Sequence, residues 1–377
     1  MMAKYRFEQI AVNSKEKKKP TEEDRFTYIG LEHLDTGSLN VMRFGSDVAP
    51  VGEKLVMKKG DVLFGKRRAY QKKVAIAPFD GIFSAHGMVL RPKEGVVDKK
   101  FFPLFISSDY FLDSAIKISV GSLSPTINWR DLKDLEFELP DLDTQKKLAK
   151  ILWAINDTIE SYKKLISATD ELVKSQFIEM TGPYSQYNIK AGTVMYGMRN
   201  GLSPSRSGEH HAKILTLSAV TQGAFDENAW KDGYFTDCPP NDKRICATDF
   251  YICRGNGNKT LVGAGVYSPK DHFDLVFPDT VIATRINEQK IRLPYLYMAW
   301  KMQAVRNQIE ENAKTTNGTY KINQSVIANV ELIVPPLPVQ DDFVAFVHQS
   351  DKSKFELEQA LSELTATYKR IISEQLG

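Results

Sequence analysis

The sequence has 377 residues, of which 42% are hydrophobic and 26% are charged, and its formal net charge is +3. This length predicts two or three globular domains, and the nearly balanced charge excludes a protein that coats nucleic acid through bulk charge. The three cysteines lack a CxxC spacing, which argues against a disulfide framework and a zinc site. No apolar run approaches the roughly 20 residues of a membrane span, so we expect a cytoplasmic protein with no membrane partner.

The first predicted elements are short strands. Runs of β-branched and aromatic residues, such as Val62–Phe64, alternate with glycine, asparagine, aspartate and proline. This pattern predicts a domain built on mixed sheets with few helices. Residues 101–116 (FFPLFISSDYFLDSAI) have helical spacing, so we expect at least one helix in this domain.

A basic segment, KRRAYQKK, follows the predicted strand Val62–Phe64. Its cations can neutralise several phosphates, and an arginine can bond the edge of a guanine with two hydrogen bonds. The alternative interpretation is a solvated loop without a function. The candidate DNA-binding residues of this segment are Lys66, Arg67, Arg68, Tyr70, Lys72 and Lys73.

A second candidate surface is SVGSLSPTIN, residues 119–128. Glycine and small hydroxyl residues let backbone amides approach phosphates closely, and Ser122 and Ser124 can donate hydrogen bonds. The alternative interpretation is a polar connector between two elements.

An internal repeat begins within this region. Residues 127–145 read INWRDLKDLEFELPDLDTQ, and residues 322–340, which lie 195 positions later, read INQSVIANVELIVPPLPVQ. Ordinary composition gives roughly one chance identity over this length, whereas six of these nineteen positions are identical. We infer a duplication. The identical pairs are Ile127/Ile322, Asn128/Asn323, Glu136/Glu331, Pro140/Pro335, Leu142/Leu337 and Gln145/Gln340.

Each copy of the repeat continues into a series of apolar positions with alternating steps of four and three. Spacing of this kind, sustained over about four heptads, predicts long helices that pair in a coiled coil. An amphipathic helix packed on its own domain is the alternative. Polar Ser350 and Lys354 interrupt the second seam, where they either set the register or show that the register differs. The seam residues are Leu148, Leu152, Ile155, Ile159, Tyr162 and Ile166 in the first helix, and Phe343, Val347, Leu357, Leu361, Leu364 and Tyr368 in the second.

The second half repeats the frame of the first with different polar residues. Residues 214–225 resemble residues 28–39, and residues 246–254 resemble residues 58–66. Two polar sets on one repeated frame are what the recognition of two different base sequences requires. The candidate DNA-binding residues of this half are Arg254, Asn256, Asn258 and Lys259, followed by Thr315, Asn317 and Lys321.

Catalytic patterns are weak. The nearest match to a phosphate-binding loop, CRGNGNKT at residues 253–260, lacks both required glycines. Pro278, Asp279, Glu288 and Lys290 form only a permissive match to a nuclease pattern. Because no nucleophile, base and orienting group come together, we predict no catalytic residue, no metal site and no cofactor. A binding or scaffolding role is favoured.

These features together resemble the specificity subunits of type I restriction-modification enzymes over nearly the whole chain. The segments that carry the resemblance are YRFEQIAVNS, YIGLEHLDTGSL, KKGDVLFGKRR, GSLSPTINWRDLKDLEFELPDLDTQKKLAKIL and KINQSVIANVELIVPPLPVQ. The resemblance implies an α+β fold with two mixed-sheet target-recognition domains, at residues 1–142 and 182–337, in a pseudo-two-fold arrangement. Two long helices, at residues 143–181 and 338–377, would form an antiparallel coiled coil that acts as a spacer.

The same resemblance implies a non-catalytic subunit. Each target-recognition domain would read one half of a bipartite double-stranded DNA target. The protein would bind two methylation subunits, which modify adenine, and the complex would recruit restriction subunits. The alternatives are a coiled-coil adaptor that binds proteins, or a nuclease or methyltransferase with an unrecognised site. Binding driven by phosphates weakens steeply with added salt, which distinguishes the DNA-binding hypothesis.

Overall fold

The computed structural model describes residues 2–205, 207–316 and 318–376. The chain divides into two compact units, which are Met1–Lys164 with Leu357–Gly377, and Leu165–Glu356. We call them unit 1 and unit 2. Among the described residues, no helix combines the length and the apolar character needed to cross a membrane.

Unit 1 is built on short strands in three sheets. The strands are β1 (Ala3–Arg6), β2 (Ala11–Ser14), β3 (Lys17–Lys18), β4 (Tyr28–Ile29), β5 (Lys54–Met57), β6 (Val62–Phe64), β7 (Val74–Ile76), β8 (Gly81–Phe83), β9 (Met88–Pro92) and β10 (Glu136–Leu139). The sheet orders are β1-β10, β2-β9-β6-β7 and β3-β5-β8-β4. The sheets are small, as the strand pattern predicts, and one of them is mixed because β4 runs parallel to β8.

The helices of unit 1 pack against these sheets around an aromatic core. They are α1 (Phe7–Ile10), α2 (Phe101–Ser107), α3 (Asp109–Lys117), α4 (Trp129–Leu132) and the first part of α5 (Leu142–Thr181). The predicted helical segment 101–116 is two helices, because Ser108 has an extended backbone and its hydroxyl caps α3 by accepting a hydrogen bond from the Phe111 amide. The buried rings of Phe7, Phe105, Phe111 and Phe137 form the centre of the core.

Unit 2 has more strands. They are β11 (Asn188–Lys190), β12 (Met195–Asn200), β13 (His210–Leu215), β14 (Trp230–Phe235), β15 (Arg244–Ile245), β16 (Asp249–Cys253), β17 (Gly255–Asn256), β18 (Gly265–Tyr267), β19 (His272–Val276), β20 (Val281–Ile286), β21 (Lys314–Thr316), β22 (Thr319–Lys321) and β23 (Glu331–Ile333). The sheet orders are β11-β23, β12-β20-β16-β18, β14-β13-β19-β15 and β17-β22-β21.

The remaining helices lie in unit 2, except for the last part of the C-terminal helix, which belongs to unit 1. The α-helices are α6 (Ser218–Thr221), α7 (Leu293–Lys301), α8 (Gln303–Asn312), α9 (Gln324–Asn329) and α10 (Leu337–Leu376). Short 3₁₀ turns occur at Glu23–Thr27, Leu31–His33, Ala69–Gln71, Gly182–Tyr184, Ala191–Thr193, Asn241–Lys243 and Lys259–Leu261. Both long helices, α5 and α10, contain 40 residues, and each contributes to both units.

The two units share one strand topology. The sheet β2-β9-β6-β7 and the sheet β12-β20-β16-β18 have the same order, and every neighbouring pair is antiparallel. In the other main sheet, β8 runs parallel to β4 and antiparallel to β5, just as β19 runs parallel to β13 and antiparallel to β15. The units differ in their edge strands, β3 and β14. The predicted internal repeat is confirmed at the level of topology.

A buried glutamine occupies the same place in both copies of the repeat. The Gln145 side-chain amide donates to the Pro140 carbonyl (2.8 Å) and the Val96 carbonyl (3.1 Å), and its oxygen accepts from the Asp98 amide (2.8 Å). The glutamine side chain is 1% exposed. These bonds join the first turn of α5 to the loop before α2.

Gln340 makes the equivalent bonds in unit 2. Its amide donates to the Pro335 carbonyl (2.8 Å) and the Lys290 carbonyl (3.0 Å), and its oxygen accepts from the Arg292 amide (2.9 Å). The first turn of α10 is thereby joined to the loop before α7. The sequence identity at this position thus preserves a complete set of hydrogen bonds.

A second repeated contact joins an aspartate to an arginine within the antiparallel sheet. In unit 1, the Asp61 carboxylate accepts two hydrogen bonds from Arg91, at 2.7 and 2.8 Å. In unit 2, the fully buried Asp249 carboxylate accepts a hydrogen bond from Arg199 and lies 3.9 Å from Arg285. Each arginine places a positive charge beside a carboxylate that the sheet removes from water.

Within each unit, α5 and α10 pack in antiparallel directions. In unit 1, Leu148 and Leu152 share an apolar cluster with Ile372 and Leu376 near the end of α10. In unit 2, the Phe177 ring near the end of α5 lies 5.1 Å from the Phe343 ring near the start of α10. All the seam residues predicted from the sequence are buried or half-buried.

The two polar seam residues also face inward. Ser350 is 8% exposed. The Lys354 ammonium donates to both oxygens of the Asp170 carboxylate on α5, at 2.8 and 3.0 Å. A polar pair at this level favours one register of the helices over registers that would separate the two charges.

We predict that Gln145→Ala weakens unit 1 locally. The substitution leaves the Asp98 amide and two carbonyls unpaired, and each unsatisfied buried group costs about 1–3 kcal/mol. Hydrogen exchange measured by mass spectrometry should show faster exchange of the Asp98 amide, with the Arg292 amide unchanged. Gln340→Ala is the matched control, because it should accelerate exchange at Arg292 and leave Asp98 protected. Equal exchange in both variants and the parent protein would contradict the role assigned to these side chains.

Candidate nucleic-acid interface

The two candidate DNA-binding segments of unit 1 lie side by side. The Lys66 carbonyl accepts from the Ile127 amide (2.9 Å), and the Ala69 amide donates to the Pro125 carbonyl (3.3 Å). Arg67 forms an antiparallel bridge with Thr126. We call residues 66–73 together with residues 119–127 the first loop pair.

The second segment of this pair is a closed hairpin. Val120 and Thr126 exchange two backbone hydrogen bonds, at 3.0 and 2.9 Å. Gly121 has a φ of 110°, a conformation that favours glycine and lets the chain turn immediately after the closing pair. Ser122 is exposed and Ser124 half-buried at the tip of this hairpin.

Unit 2 has the same arrangement. Strand β17 pairs with β22, and the Arg254 carbonyl accepts from the Ile322 amide at 2.9 Å, just as Lys66 does from Ile127. Strands β21 and β22 form the hairpin. We call residues 254–259 together with residues 313–322 the second loop pair. Asn317, a predicted DNA-binding residue, lies outside the described residues.

The side chain of Arg67 is held in place on the first loop pair. Its Nε donates to the Ser124 hydroxyl (3.0 Å), and its Nη1 lies 3.3 Å from Nε2 of His86. Burial, followed by the positive charge of Arg67, lowers the pKa of His86 below its ordinary value. A neutral imidazole can accept a hydrogen bond from the guanidinium, so this contact orients an exposed arginine.

The lysines at the end of the basic segment are already engaged within unit 1. The Lys72 ammonium lies 2.6 Å from Asp109 and 2.7 Å from Asp113. The Lys73 ammonium donates to the Leu31 carbonyl at 2.7 Å. These two residues, proposed from the sequence as DNA contacts, therefore anchor the loop to its own domain.

The remaining residues of the segment are presented to solvent to different extents. Arg68 is exposed and Tyr70 is 57% exposed, whereas Lys66 is half-buried. Burial and the nearby charge of Lys17 lower the pKa of Lys66. The exposed cations of this segment are therefore Arg67 and Arg68.

The backbone of the basic segment is unusual. Arg68 and Lys72 have φ values of 53° and 48°, and no other non-glycine residue that the structure describes has a positive φ. They flank the 3₁₀ turn Ala69–Gln71. Such conformations are retained where surrounding contacts enforce them, often at binding sites. The contacts of Lys72 with Asp109 and Asp113, and of Lys73 with the Leu31 carbonyl, are of this kind.

In the second loop pair, two asparagines shape the loop. The Asn258 side chain accepts from the Thr260 amide (3.0 Å), and the Asn256 side chain accepts from the Asn258 amide (2.9 Å). Arg254 donates to the Asp279 carbonyl at 3.3 Å. The predicted residues of this loop pair that are exposed are Asn258, Lys259, Thr315 and Lys321.

Sequence reasoning missed two residues of the first loop pair. His86 comes from the connection between β8 and β9 and reaches Arg67 only in the folded chain. Leu123, at the tip of the hairpin, is 94% exposed. The hydroxyl residues around Leu123 predict a phosphate contact, and no sequence pattern predicts that this apolar side chain is exposed.

Comparison with known proteins finds a family model that matches the first part of the chain. Residues 12–169 match the family model of the type I restriction modification DNA specificity domain. The specificity subunit of the type I restriction enzyme EcoDI from Escherichia coli is 27% identical over 160 residues, 41% of this chain and 35% of that protein. The match therefore spans about a third of the length of that relative. The StySPI specificity subunit from Salmonella potsdam is 22% identical over 372 residues, 89% of this chain and 76% of that protein.

A solved structure supports the fold over the full length. The S subunit of the type I restriction-modification system from M. genitalium matches with a TM-score of 0.56 at 15% identity, covering 100% of this chain and 96% of that chain. The predicted resemblance is confirmed. Residues 12–169 match the type I restriction modification DNA specificity domain, and the chain has the fold of a solved type I S subunit.

We predict that Arg67→Ala raises the pKa of His86 part of the way towards its ordinary value. The substitution removes one nearby positive charge, while burial and the charges of Lys66 and Lys54 continue to lower the pKa. NMR titration of the labelled histidine ring measures the shift. Arg68→Ala is the control, because no contact joins this side chain to His86, and its titration should match the parent protein. An unchanged pKa in Arg67→Ala would contradict the contact.

Proposed function

We propose that this protein is the sequence-specific DNA-recognition subunit of a type I restriction-modification complex. Each unit would read one half of a bipartite double-stranded target. The proposal rests on the first and second loop pairs, which share one backbone frame and differ in their side chains. A frame of this kind can hold different recognition residues in equivalent positions.

Arg67 has the properties of a base-reading residue. Its guanidinium is exposed but oriented by Ser124 and His86, so less side-chain entropy is lost when it binds. A planar fork of donors held in one orientation matches the two acceptors of guanine in the major groove. Arg68, whose side chain makes no hydrogen bond or ion pair among the described residues, is better suited to a phosphate.

The second loop pair presents a different chemical surface. Its exposed Lys259 and Lys321 are ammonium donors, which bind phosphate as point charges, and Thr315 adds a hydroxyl. The asparagine side chains that shape this loop have amide groups that can contact base edges. We therefore propose that the two half-sites differ in sequence.

The chemistry of the complex would belong to partner subunits. Relatives of this chain are named specificity subunits of type I restriction enzymes. We propose that two methylation subunits, which modify adenine, bind the protein, and that restriction subunits join through the complex. A chain that carries the same frame twice offers equivalent surfaces to two copies of one partner.

We also propose that α5 and α10 set the length of the unread DNA between the half-sites. Each helix contributes residues to both units, so the paired helices are the physical link between the recognition domains. The polar pair of Lys354 and Asp170 would keep this link in one register.

The first experiment identifies the target. Long-read detection of methylated adenines, in cells that express this chain with its methylation subunits, should reveal one bipartite sequence. The purified complex should then bind a duplex with that sequence in gel shifts, and added salt should weaken the binding steeply. Methylation without a bipartite pattern, or binding independent of sequence and salt, would reject the proposal in favour of a protein adaptor.

We predict that Arg68→Ala weakens binding with little change in preference for bases. Loss of one phosphate contact should reduce the slope of log affinity against log salt by about one. Lys72→Ala is the matched control, because two aspartates already neutralise that lysine, and the slope should stay close to that of the parent. Fluorescence anisotropy over a salt series makes the comparison. Equal slopes for Arg68→Ala and the parent would remove Arg68 from the interface.

We predict that lengthening both helices changes the spacer and leaves both half-sites unchanged. Seven residues inserted after Ile166 in α5 and after Leu357 in α10 add about 10 Å of helix, or about three base pairs. Methylation profiling in cells should show the original half-sites with a longer gap. As a control, substitution of seven exposed helix residues without insertion should keep the original gap. Changed half-sites would show that the helices do more than measure distance.

A further inference from the structure

Leu123 is an apolar side chain that is exposed to solvent on the first loop pair. It lies at the tip of the hairpin closed by Val120 and Thr126, and 94% of its surface is accessible. Val120 is 65% exposed and Tyr70 on the neighbouring segment is 57% exposed. A single exposed apolar residue is ordinary, but several on one small surface indicate a contact with a partner.

The apolar tip and the oriented arginine belong to one rigid surface. Arg67 bridges to Thr126, and Thr126 bridges to Val120, so three short segments lie in a ladder. The hydroxyl that orients Arg67 belongs to Ser124, the residue next to Leu123. A two-stranded ribbon fits the major groove, which is about 12 Å wide. If Arg67 reaches a base edge, Leu123 would lie close to the same groove, because the neighbouring Ser124 bonds Arg67.

The equivalent hairpin in unit 2 has no such side chain. Residues 315–319 at its turn read TTNGT, a sequence without an apolar residue. Gly318 has a φ of 75°, so the turn there depends on glycine and leaves the tip without an apolar group. The apolar tip is therefore a property of one recognition domain and not of the shared frame.

We propose that Leu123 makes an apolar contact with the C5-methyl group of a thymine in the half-site read by unit 1. This inference rests on the proposed function and adds to it a residue that determines specificity. The thymine methyl is the apolar group that base pairs present in the major groove. A leucine side chain has no donor or acceptor, so it can distinguish thymine only through this methyl group.

A uracil scan tests the contact directly. Deoxyuridine pairs like thymidine but lacks the methyl group, and each thymine of the identified target is replaced in turn. With the parent complex, one replacement in the first half-site should lower affinity about four-fold, the effect expected for exposing one buried methyl group. With Leu123→Ala, that penalty should disappear, and no replacement in the second half-site should change its effect. Leu172→Ala, which truncates an exposed leucine on α5, should behave like the parent.

The outcomes separate this inference from the proposed function. An equal uracil penalty in the parent and in Leu123→Ala would overturn the contact, as would a first half-site without an A·T pair. If Leu123→Ala weakens binding to thymine and uracil duplexes equally, the side chain acts instead as a wedge between bases, and the methyl contact is wrong. Failure of the parent complex to bind any duplex selectively would reject the proposed function itself.

Discussion

The rest of this structure depends on one buried side-chain amide in each unit. Gln145 and Gln340 each satisfy one backbone amide and two backbone carbonyls that would otherwise be unpaired. These bonds connect the start of a long helix to the loop that leads into α2 or α7. Because a buried unsatisfied group is costly, these bonds favour one position for the start of each long helix. That position determines which residues of the helix reach the seam.

The loop pairs show how one frame can carry two specificities. In both units, a backbone hydrogen bond joins the segment after β6 or β16 to the residue before the repeated Asn, at Ile127 or Ile322. The side chains around that bond differ. The first pair has an oriented arginine and an apolar tip, whereas the second has asparagines whose side chains accept hydrogen bonds from loop amides, and exposed lysines. Selection on recognition can therefore alter side chains without disturbing the contacts that support the loops.

Several features of the molecule were predictable from local patterns. The four-and-three spacing predicted two long helices, and the inward positions of Ser350 and Lys354 agree with the register assigned to them. Strand Val62–Phe64 has the bounds expected from its sequence. The identity of Gln145 and Gln340 revealed a repeat, but two of the three partners of each glutamine lie between 47 and 50 residues away in the sequence. No local pattern predicts these distant partners. The sequence predicted the same role for Lys72 and Arg67. In the structure two aspartates neutralise Lys72, whereas Arg67 is exposed and has no acidic partner among the described residues.

The sequence by itself determined the duplication, the mixed-sheet class and the helical seam, because identity at a constant offset and hydrophobic periodicity are properties of neighbouring residues. Only the tertiary structure decided which charges are available. Asp109 and Asp113 neutralise Lys72, His86 and Ser124 orient Arg67, and Leu123 projects from a closed hairpin. Each of these facts depends on side chains that are brought together from distant parts of the chain. Distance in space, which decides electrostatic and hydrogen-bonding partners, is not encoded by distance along the chain.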